Sequence, residues 1–420
     1  MQDDIKDPYA QPPSPPTSTP APTEPELDSP LKFKTPDEVA AHDEDIKLDL
    51  SQEEPVNELA PKPPKAKRKF WPPSKKQMII SGVIILVLAI IGGGLYLAIS
   101  HHKTTVATIT TPKPKIAKPI SDLIPSTLTG QLVAPSVNQR PITAVMIENL
   151  PPARPQSGLS QAGVVIEALT EGGITRFEAF FQNNLPTYVG PVRSVRPYFL
   201  DWALGFDAPI AHDGGSAQAL AEIPSLGVKN LDYLDNPNYY TRISSRQPPH
   251  NLYTSLPNLI KLEASNNWTS SNFSGWPRKA DAPVKNPNAT NINFTLSYST
   301  YNVAYSYDPS TNSYNRSEGG APQIGANTNK QISPKVVIGM VVPWSQGSLD
   351  TSNAYYSVYQ DVGSGQAYVF QDGTLTLGQW NKPSAQAPLS FTTASGQPLK
   401  LNAGQTWITV LASSSDINYN

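Results

Sequence analysis

The chain has 420 residues, a formal net charge of −2 and no cysteine. The near-neutral charge gives no reason to expect a nucleic-acid partner. The lack of cysteine excludes disulfide bonds, thiolate zinc sites, a cysteine nucleophile and lipid attachment to a cysteine of this sequence.

Residues 1–76 are rich in proline, serine, threonine and acidic residues and contain few aromatic residues. Such a segment buries too little apolar surface to offset its chain entropy, so we expect a disordered tail. Its PSPPTSTPAP stretch favours polyproline II structure. Either a solvated tail or a tail bound by a proline-recognising protein fits this composition.

Residues 77–99 read QMIISGVIILVLAIIGGGLYLAI, without a charge. This run has the length needed to cross about 30 Å of hydrocarbon, so it predicts a transmembrane helix. Seven lysine and arginine residues lie between positions 62 and 76, whereas Lys103 is the only one close behind the run. This asymmetry predicts a cytosolic N-terminus and places the rest of the chain outside. Residues 100–125, rich in threonine, lysine and proline, are expected to form an extended linker.

Residues 126–270 are predicted to form a first folded region with a mixed sheet and helices. Apolar runs predict strands at 142–148, 163–169, 175–182 and 208–213. The second and third runs are expected to pair as a hairpin through the turn Glu171-Gly172-Gly173. The fourth run precedes Gly214-Gly215-Ser216 and the helical stretch AQALAEI. Ligands in such strand–turn–helix units sit at the carboxyl ends of strands.

The segment GPVRSVRP, residues 190–197, leads into a helical pattern with Ser194 as the expected N-cap. Arg193 and Arg196 would then flank a helix N-terminus, where the macrodipole disfavours positive charge. A helix N-terminus with guanidinium groups is suited to binding an anion. The alternative is an internal ion pair with Glu167, Glu171 or Asp201.

Two histidines are candidates for proton transfer. His212, followed by Asp213, falls at the end of a predicted strand, and a packed, hydrogen-bonded histidine is the alternative there. His250 follows two prolines and precedes Asn251 in RQPPHNLY. A loop residue held rigidly in this way is a candidate for function.

Five motifs resemble one known family, the YerB-like bacterial lipoproteins, whose domain has no established function. They are LTG (128–130), ARPQSGLSQA (153–162), EGGITRF (171–177), GPVRSVRPY (190–198) and PPHNLY (248–253). The resemblance covers about residues 126–412 and implies a bacterial cell-surface protein. Relatives typically carry a lipobox cysteine, which this chain lacks, so it implies the same side of the membrane with a different anchor.

The order of strand, PVRSVR, helix and DGGS is also similar to that of the LytR-CpsA-Psr phosphotransferases. That resemblance implies arginines and an acidic residue that hold a polyprenyl pyrophosphate. It lies in the arrangement and not in identical motifs, and several acidic positions of that family have no counterpart here.

After a connector at 271–284, residues 285–415 are predicted to form a smaller antiparallel β-rich module. Alternating or apolar runs predict strands at 301–307, 335–342, 355–361, 366–371, 374–380 and 407–411. Asp372-Gly373 is a hairpin signal. The tyrosines of the first run suit either a glycan-binding face or ordinary cross-strand pairing.

The predicted fold class is therefore α+β or α/β: a mixed sheet with helices, then the β-rich module, preceded by one transmembrane helix. The predicted function is that of a membrane-anchored extracytoplasmic envelope protein. Its ligand would be anionic, such as a phosphorylated lipid, a teichoic-type polymer or a peptidoglycan stem. The alternatives are a phosphoryl- or glycan-transfer enzyme and an envelope scaffold.

The predicted ligand-binding residues are Arg154, Gln156, Ser157, Glu171, Arg176, Arg193, Ser194, Arg196, His212, Gly214, Gly215, His250 and Asn251. The catalytic candidates are His212, His250, Glu171 and Asp213. No metal or cofactor is predicted.

Overall fold

The structure is a computed structural model that describes residues 122–349 and 355–420. The predicted tail and the predicted span at 77–99 lie outside these residues. Within the described part of the chain, every helix is too short or too polar to cross a membrane.

Strands make up most of the regular structure. They are β1 (Ile124–Pro125), β2 (Leu132–Val133), β3 (Thr143–Glu148), β4 (Val164–Leu169), β5 (Thr175–Phe181), β6 (Ile210–His212), β7 (Asn230–Asp232), β8 (Tyr240–Arg242), β9 (Leu252–Thr254), β10 (Arg278–Lys279), β11 (Asn291–Phe294), β12 (Val303–Asp308), β13 (Ser313–Glu318), β14 (Ala321–Pro322), β15 (Ile324–Gly325), β16 (Lys330–Gln331), β17 (Val336–Val341), β18 (Trp344–Leu349), β19 (Tyr355–Tyr359), β20 (Gly363–Gln371), β21 (Thr374–Lys382), β22 (Ser390–Thr393), β23 (Leu401–Asn402), β24 (Thr406–Leu411) and β25 (Ile417–Tyr419).

The described helices are α1 (Pro135–Asn138), α2 (Pro197–Gly205), α3 (Ala217–Leu226) and α4 (Leu256–Ser265). Short 3-10 helices lie at Pro151–Ala153, Leu159–Gln161, Glu171–Gly173, Pro237–Tyr239, Ser299–Tyr301 and Ser414–Asp416. Helices α2, α3 and α4 each begin with a proline or a capping serine. These residues suit a helix start, because the N–H groups of the first turn have no acceptor within the helix.

One ten-stranded mixed sheet organises the fold, in the order β22-β21-β20-β17-β24-β4-β5-β3-β6-β7. It contains strands from both predicted folded regions. The β4–β5 hairpin forms as predicted. The turn at Asp372-Gly373 joins β20 to β21, also as predicted.

The prediction of an antiparallel C-terminal module was wrong at its last strand. Thr406–Leu411 lies between β17 and β4 and runs parallel to both. Every residue of this strand is buried. A strand that is apolar and covered on both faces suits the centre of a parallel sheet better than an edge.

The large sheet is covered on both faces. On one face, α2 and α3 pack in a core that includes Phe199 and Trp202. On the other, α4 shares a core with an antiparallel five-stranded sheet of order β14-β13-β12-β11-β25. Tyr305 and Tyr307 belong to this core, and both residues and Tyr301 are at most 8% exposed. These tyrosines therefore serve packing and do not form an open sugar-binding face.

Candidate functional site

A cavity of about 450 Å³ lies where the N-terminal ends of α2 and α3 meet the β18–β19 hairpin. Its lining residues are Arg196, Pro197, Tyr198, Asp201, Ser216, Ala217, Gln218, Glu222, Ser348, Tyr356, Ser357, Val358, Tyr359 and Asp361. The cavity is large enough for a small polar ligand.

A short parallel bridge between Val195 and Gly215 brings the two helix N-termini together. The Val195 N–H donates to the Gly214 carbonyl oxygen at 3.0 Å, and the Ser216 N–H donates to the Val195 carbonyl oxygen at 3.2 Å. Gly214 has φ +60°, and a Cβ at Gly215 would come within 2.9 Å of a Val195 methyl carbon. The two glycines of the GGS motif therefore permit this close approach.

The helix starts differ partly from the prediction. Arg196, and not Ser194, is the N-cap residue of α2, and Pro197 occupies the first turn. The Ser194 carbonyl oxygen instead accepts a hydrogen bond from Arg176 Nη1 at 2.7 Å. Ser216 caps α3, because its Oγ accepts a hydrogen bond from the Ala219 N–H at 3.2 Å. The predicted strand, glycine turn and helix are thus present, with the helix N-terminus at the cavity.

Arg196 is held at the cavity by Glu171, through one of the internal ion pairs considered from the sequence. Arg196 Nη2 donates to Glu171 Oε2 at 2.6 Å, and its Nε donates to Oε1. Arg196 Nη1 also donates to the Val195 carbonyl oxygen at 2.7 Å. Burial would raise the pKa of Glu171, but the charge and hydrogen bonds of Arg196 outweigh it and hold that pKa below its ordinary value. Glu171 is therefore an ionised partner and not a free general base.

Arg176 lies behind this pair and is 7% exposed. Burial and the nearby charge of Arg196 lower its pKa to about 10, while Glu171 opposes the shift. A guanidinium with this pKa is still charged at neutral pH. It adds to the positive potential behind the cavity.

A second cluster forms around Glu148, a residue that the sequence did not single out. His250 Nδ1 lies 3.0 Å from both carboxylate oxygens of Glu148, and Arg193 Nε lies 3.4 Å from Oε1. Burial would raise the pKa of Glu148, but the hydrogen bond with His250 and the charge of Arg193 outweigh it and lower that pKa. Glu148 is the last residue of the apolar run ITAVMIE. This position could have identified it from the sequence, since polar residues at strand ends often form sites.

Gln156 of the ARPQSG motif contacts Glu148, and the other residues of the motif bond to neighbouring segments. Gln156 Nε2 donates to the Glu148 carbonyl oxygen at 3.1 Å. Arg154 Nη2 donates to Glu318 Oε1 at 3.1 Å. Burial raises the pKa of Glu318 to about 7 against the attraction of Arg316. Ser157 is buried, and its N–H donates to the Gly190 carbonyl oxygen at 2.8 Å.

His212 is fully buried, in line with the packed alternative. Its Nδ1 donates to the Gly214 carbonyl oxygen at 2.8 Å, and its Nε2 bonds to the side-chain amide of Asn230 at 2.7 Å. With both ring nitrogens engaged inside the fold, His212 holds the glycine turn and does not reach the cavity.

Asp213 and Asn251 form a third group around the exposed side chain of Arg242. Arg242 Nη2 lies 3.4 Å from Asp213 Oδ2, and its Nη1 donates to Asn251 Oδ1 at 3.0 Å. Burial raises the pKa of Asp213, although Arg242 opposes the rise. The predicted residues thus divide among the cavity, the Glu148 cluster and this third group, and do not form one cleft.

Part of the cavity wall is acidic, which the sequence did not indicate. Asp201 of α2, Glu222 of α3 and Asp361, which follows β19, line this wall. Burial raises the pKa of Asp201 to about 6 and that of Asp361 to about 7. Across residues 122–349 and 355–420, no three acidic or histidine side chains are placed to hold a metal ion. The cavity is therefore lined both by a guanidinium group and by carboxyl groups.

Comparisons with known proteins agree with the resemblance. Residues 128–269 match the family model "Protein of unknown function (DUF3048) N-terminal domain", and residues 292–408 match the corresponding C-terminal domain. The chain is 32% identical over 290 residues to "Putative lipoprotein YerB" of Bacillus subtilis (strain 168), which covers 68% of this chain and 85% of that protein.

The fold is also similar to a solved structure. The crystal structure of YerB protein from Bacillus subtilis matches with a TM-score of 0.64 and 28% sequence identity. The match covers 71% of this chain and 99% of that chain. Sequence and fold therefore agree that this chain belongs to the YerB-like family, whose two domains are described as being of unknown function.

Proposed function

We propose that the chain is a membrane-anchored envelope protein whose folded part lies outside the cytoplasmic membrane and binds an anionic envelope ligand beside Arg196. The uncharged run at 77–99 and the basic residues before it support this topology. The lipoprotein name of the Bacillus subtilis relative supports a surface location. The anchor of this chain would be a helix, because the sequence contains no cysteine to carry a lipid.

The observation that carries the ligand proposal is the 450 Å³ cavity at which Arg196 and the first turns of two helices meet. Unpaired N–H groups and the macrodipole favour an anion at a helix N-terminus. Three of the five N–H donors of Arg196 are used by Glu171 and the Val195 carbonyl. Two donors remain for an incoming phosphate or carboxylate.

The surrounding charges favour the same assignment. Arg193 and Arg176 act on Glu148, and Arg196 and Arg176 act on Glu171. Arg176 therefore adds a positive charge close to the Arg196–Glu171 pair, which an anion at Arg196 would offset.

Calorimetric titration tests this binding, with the full chain in neutral detergent micelles and ethyl phosphate as the probe. Arg196→Gln should weaken binding about tenfold or more, because a charge-assisted hydrogen bond contributes about 1.5–3 kcal/mol. Glu171→Gln should strengthen binding, since it releases the guanidinium of Arg196.

Arg242→Gln, in the group around Asp213, is the matched control. Binding should also weaken as salt is added. Equal affinities in Arg196→Gln and the unchanged chain would refute the site.

The topology has its own test, which the lack of native cysteine makes simple. A single cysteine is introduced either in the tail (Ser14→Cys) or on the exposed surface of the folded part (Ser395→Cys). In intact cells, a membrane-impermeant maleimide should label the second variant and not the first. The reverse pattern would refute the proposed orientation.

A further inference from the structure

Asp361 has a buried carboxylate oxygen that lacks a partner. The residue is 6% exposed and lines the cavity, and its Oδ2 makes no hydrogen bond within the described structure. An unsatisfied buried acceptor costs about 1–3 kcal/mol, and more when it is charged. The site therefore suits a donor that comes from outside the chain.

Neighbouring side chains do not supply that donor. Lys382 is fully buried close by, but its Nζ donates to the carbonyl oxygens of Ser384, Ala385 and Ala387 at 2.6–3.1 Å. An ammonium has three protons, so these bonds use all of them. Glu178 is also fully buried, and burial raises its pKa well above the ordinary value, but neither of its carboxyl oxygens makes a hydrogen bond within the described structure.

Two further carboxyl groups share the wall with Asp361. Asp201 and Glu222 line the cavity, and Glu222 accepts a hydrogen bond from Gln218 at 2.9 Å. Asp201 raises the pKa of Asp361 beyond the effect of burial. As pH rises through 6 to 7 these carboxyl groups lose their protons, and the repulsion between the resulting negative charges favours the binding of a cation.

Asp201 and Glu222 each lie about one and a half helical turns beyond the helix N-termini at Arg196 and Ser216. Asp201 is five residues beyond Arg196 along α2, and Glu222 is six beyond Ser216 along α3. At 1.5 Å per residue, these intervals correspond to roughly 8 Å along each helix axis. One small molecule can therefore contact the guanidinium with one end and the carboxyl groups with the other.

We propose that Asp361, with Asp201 and Glu222, binds the primary ammonium group of a zwitterionic ligand whose anionic group lies at Arg196. This inference rests on the proposed function, because it uses the same cavity and names the other half of its ligand. An ammonium is favoured over a metal ion, because Asp361, Asp201 and Glu222 line the same cavity without the close convergence that a metal ion requires, whereas an ammonium can bond to one or two carboxylates at a time. Its three donors match several carboxylate acceptors.

The test compares probes with and without an amine, by calorimetric titration of the full chain in detergent micelles at pH 7.5. O-Phosphoethanolamine and ethyl phosphate differ by the amine on a phosphate. Alanyl-alanine and its N-acetyl derivative differ by the amine on a carboxylate, so the two pairs distinguish an aminoalkyl phosphate from a peptide terminus. In at least one pair, the free amine should improve affinity about tenfold or more.

The variants separate this inference from the proposed function. Asp361→Asn should remove the gain from the amine, measured as the ratio of the affinities for O-phosphoethanolamine and ethyl phosphate. Asp201→Asn should reduce the gain and serves as the second variant. The matched control is Glu263→Gln, which removes another fully buried carboxyl group with a pKa raised by burial, outside the cavity.

Each result has one meaning. If ethyl phosphate binds through Arg196 but neither amine improves affinity, the ammonium site is refuted and the proposed function stands. If the amine improves affinity equally in Asp361→Asn and the unchanged chain, the assignment to Asp361 is refuted. If no probe binds, both proposals fail.

Discussion

Arg196 forms hydrogen bonds with both carboxylate oxygens of Glu171. Its Nη2 donates to Oε2 at 2.6 Å, and its Nε donates to Oε1. The side chains of this pair are 12% and 9% exposed. Glu171 belongs to the turn between β4 and β5, and Arg196 opens α2. The pair therefore joins the central hairpin to the helix that forms the cavity.

Arg196→Gln should lower the free energy of unfolding by roughly 3 kcal/mol, because it leaves a buried carboxylate without its partner. The double variant Arg196→Gln with Glu171→Gln should lose less than the sum of the two single variants, since neither charge is then left alone. Urea denaturation of the purified chain measures these differences.

The pair of Arg242 with Asp213 is the matched comparison. The Arg242 side chain is 39% exposed, so solvent screens this interaction. Arg242→Gln should change the free energy of unfolding by less than about 1 kcal/mol. Equal losses from Arg242→Gln and Arg196→Gln would contradict the structural role given to the buried pair.

His250 should set the acid stability of the fold through Glu148. The folded-state pKa of Glu148 is below its ordinary value of 4.5, so its contribution is present above pH 4.5 and is lost as pH falls through the lower folded value. The hydrogen bond with His250 is the largest effect that opposes burial, so His250→Asn should raise the pKa of Glu148. Acid unfolding should then begin at a higher pH, which circular dichroism measures.

His101→Asn is the histidine control, and an unchanged acid midpoint in His250→Asn would refute the coupling.

The first folded region should not fold alone. Within the large sheet, β4 pairs with β24 from Thr406↔Val164 to Thr409↔Glu167. A fragment of residues 122–270 lacks β24 and β17, so the apolar strand β4 would have an exposed edge. The fragment should melt without cooperativity, whereas a fragment of residues 122–420 should show a sharp thermal transition. A sharp transition in the shorter fragment would show that its sheet is independent of the C-terminal strands.

Local sequence patterns were sufficient wherever adjacent residues decide the structure. The β4–β5 hairpin, the Asp372-Gly373 turn and the strand–glycine–helix unit after His212 were predicted, because short-range pairing and turn geometry depend on nearby residues. The N-cap of α2 fell two positions from the prediction, since Arg176 occupies the Ser194 carbonyl oxygen.

The candidate site could be predicted only in part. The sequence placed Arg196 at a helix N-terminus and named Glu171 among its partners, and both are observed. It gave no reason to connect Asp361 with Asp201, because these residues come from predicted regions that were thought to form separate sheets. The contact exists because the β18–β19 hairpin folds back to α2, which no local pattern encodes.

The sequence by itself determined the family, the position of the long apolar run, the absence of cysteine chemistry and most strands, since each of these depends on composition or on residues close together in the chain. The tertiary structure alone decided that β24 enters the centre of the large sheet, that His212 is buried with both nitrogens engaged, and that a cationic and an acidic wall face one cavity. These features come from distant segments brought together by burial of apolar surface, which is non-directional and leaves no local signal in the sequence.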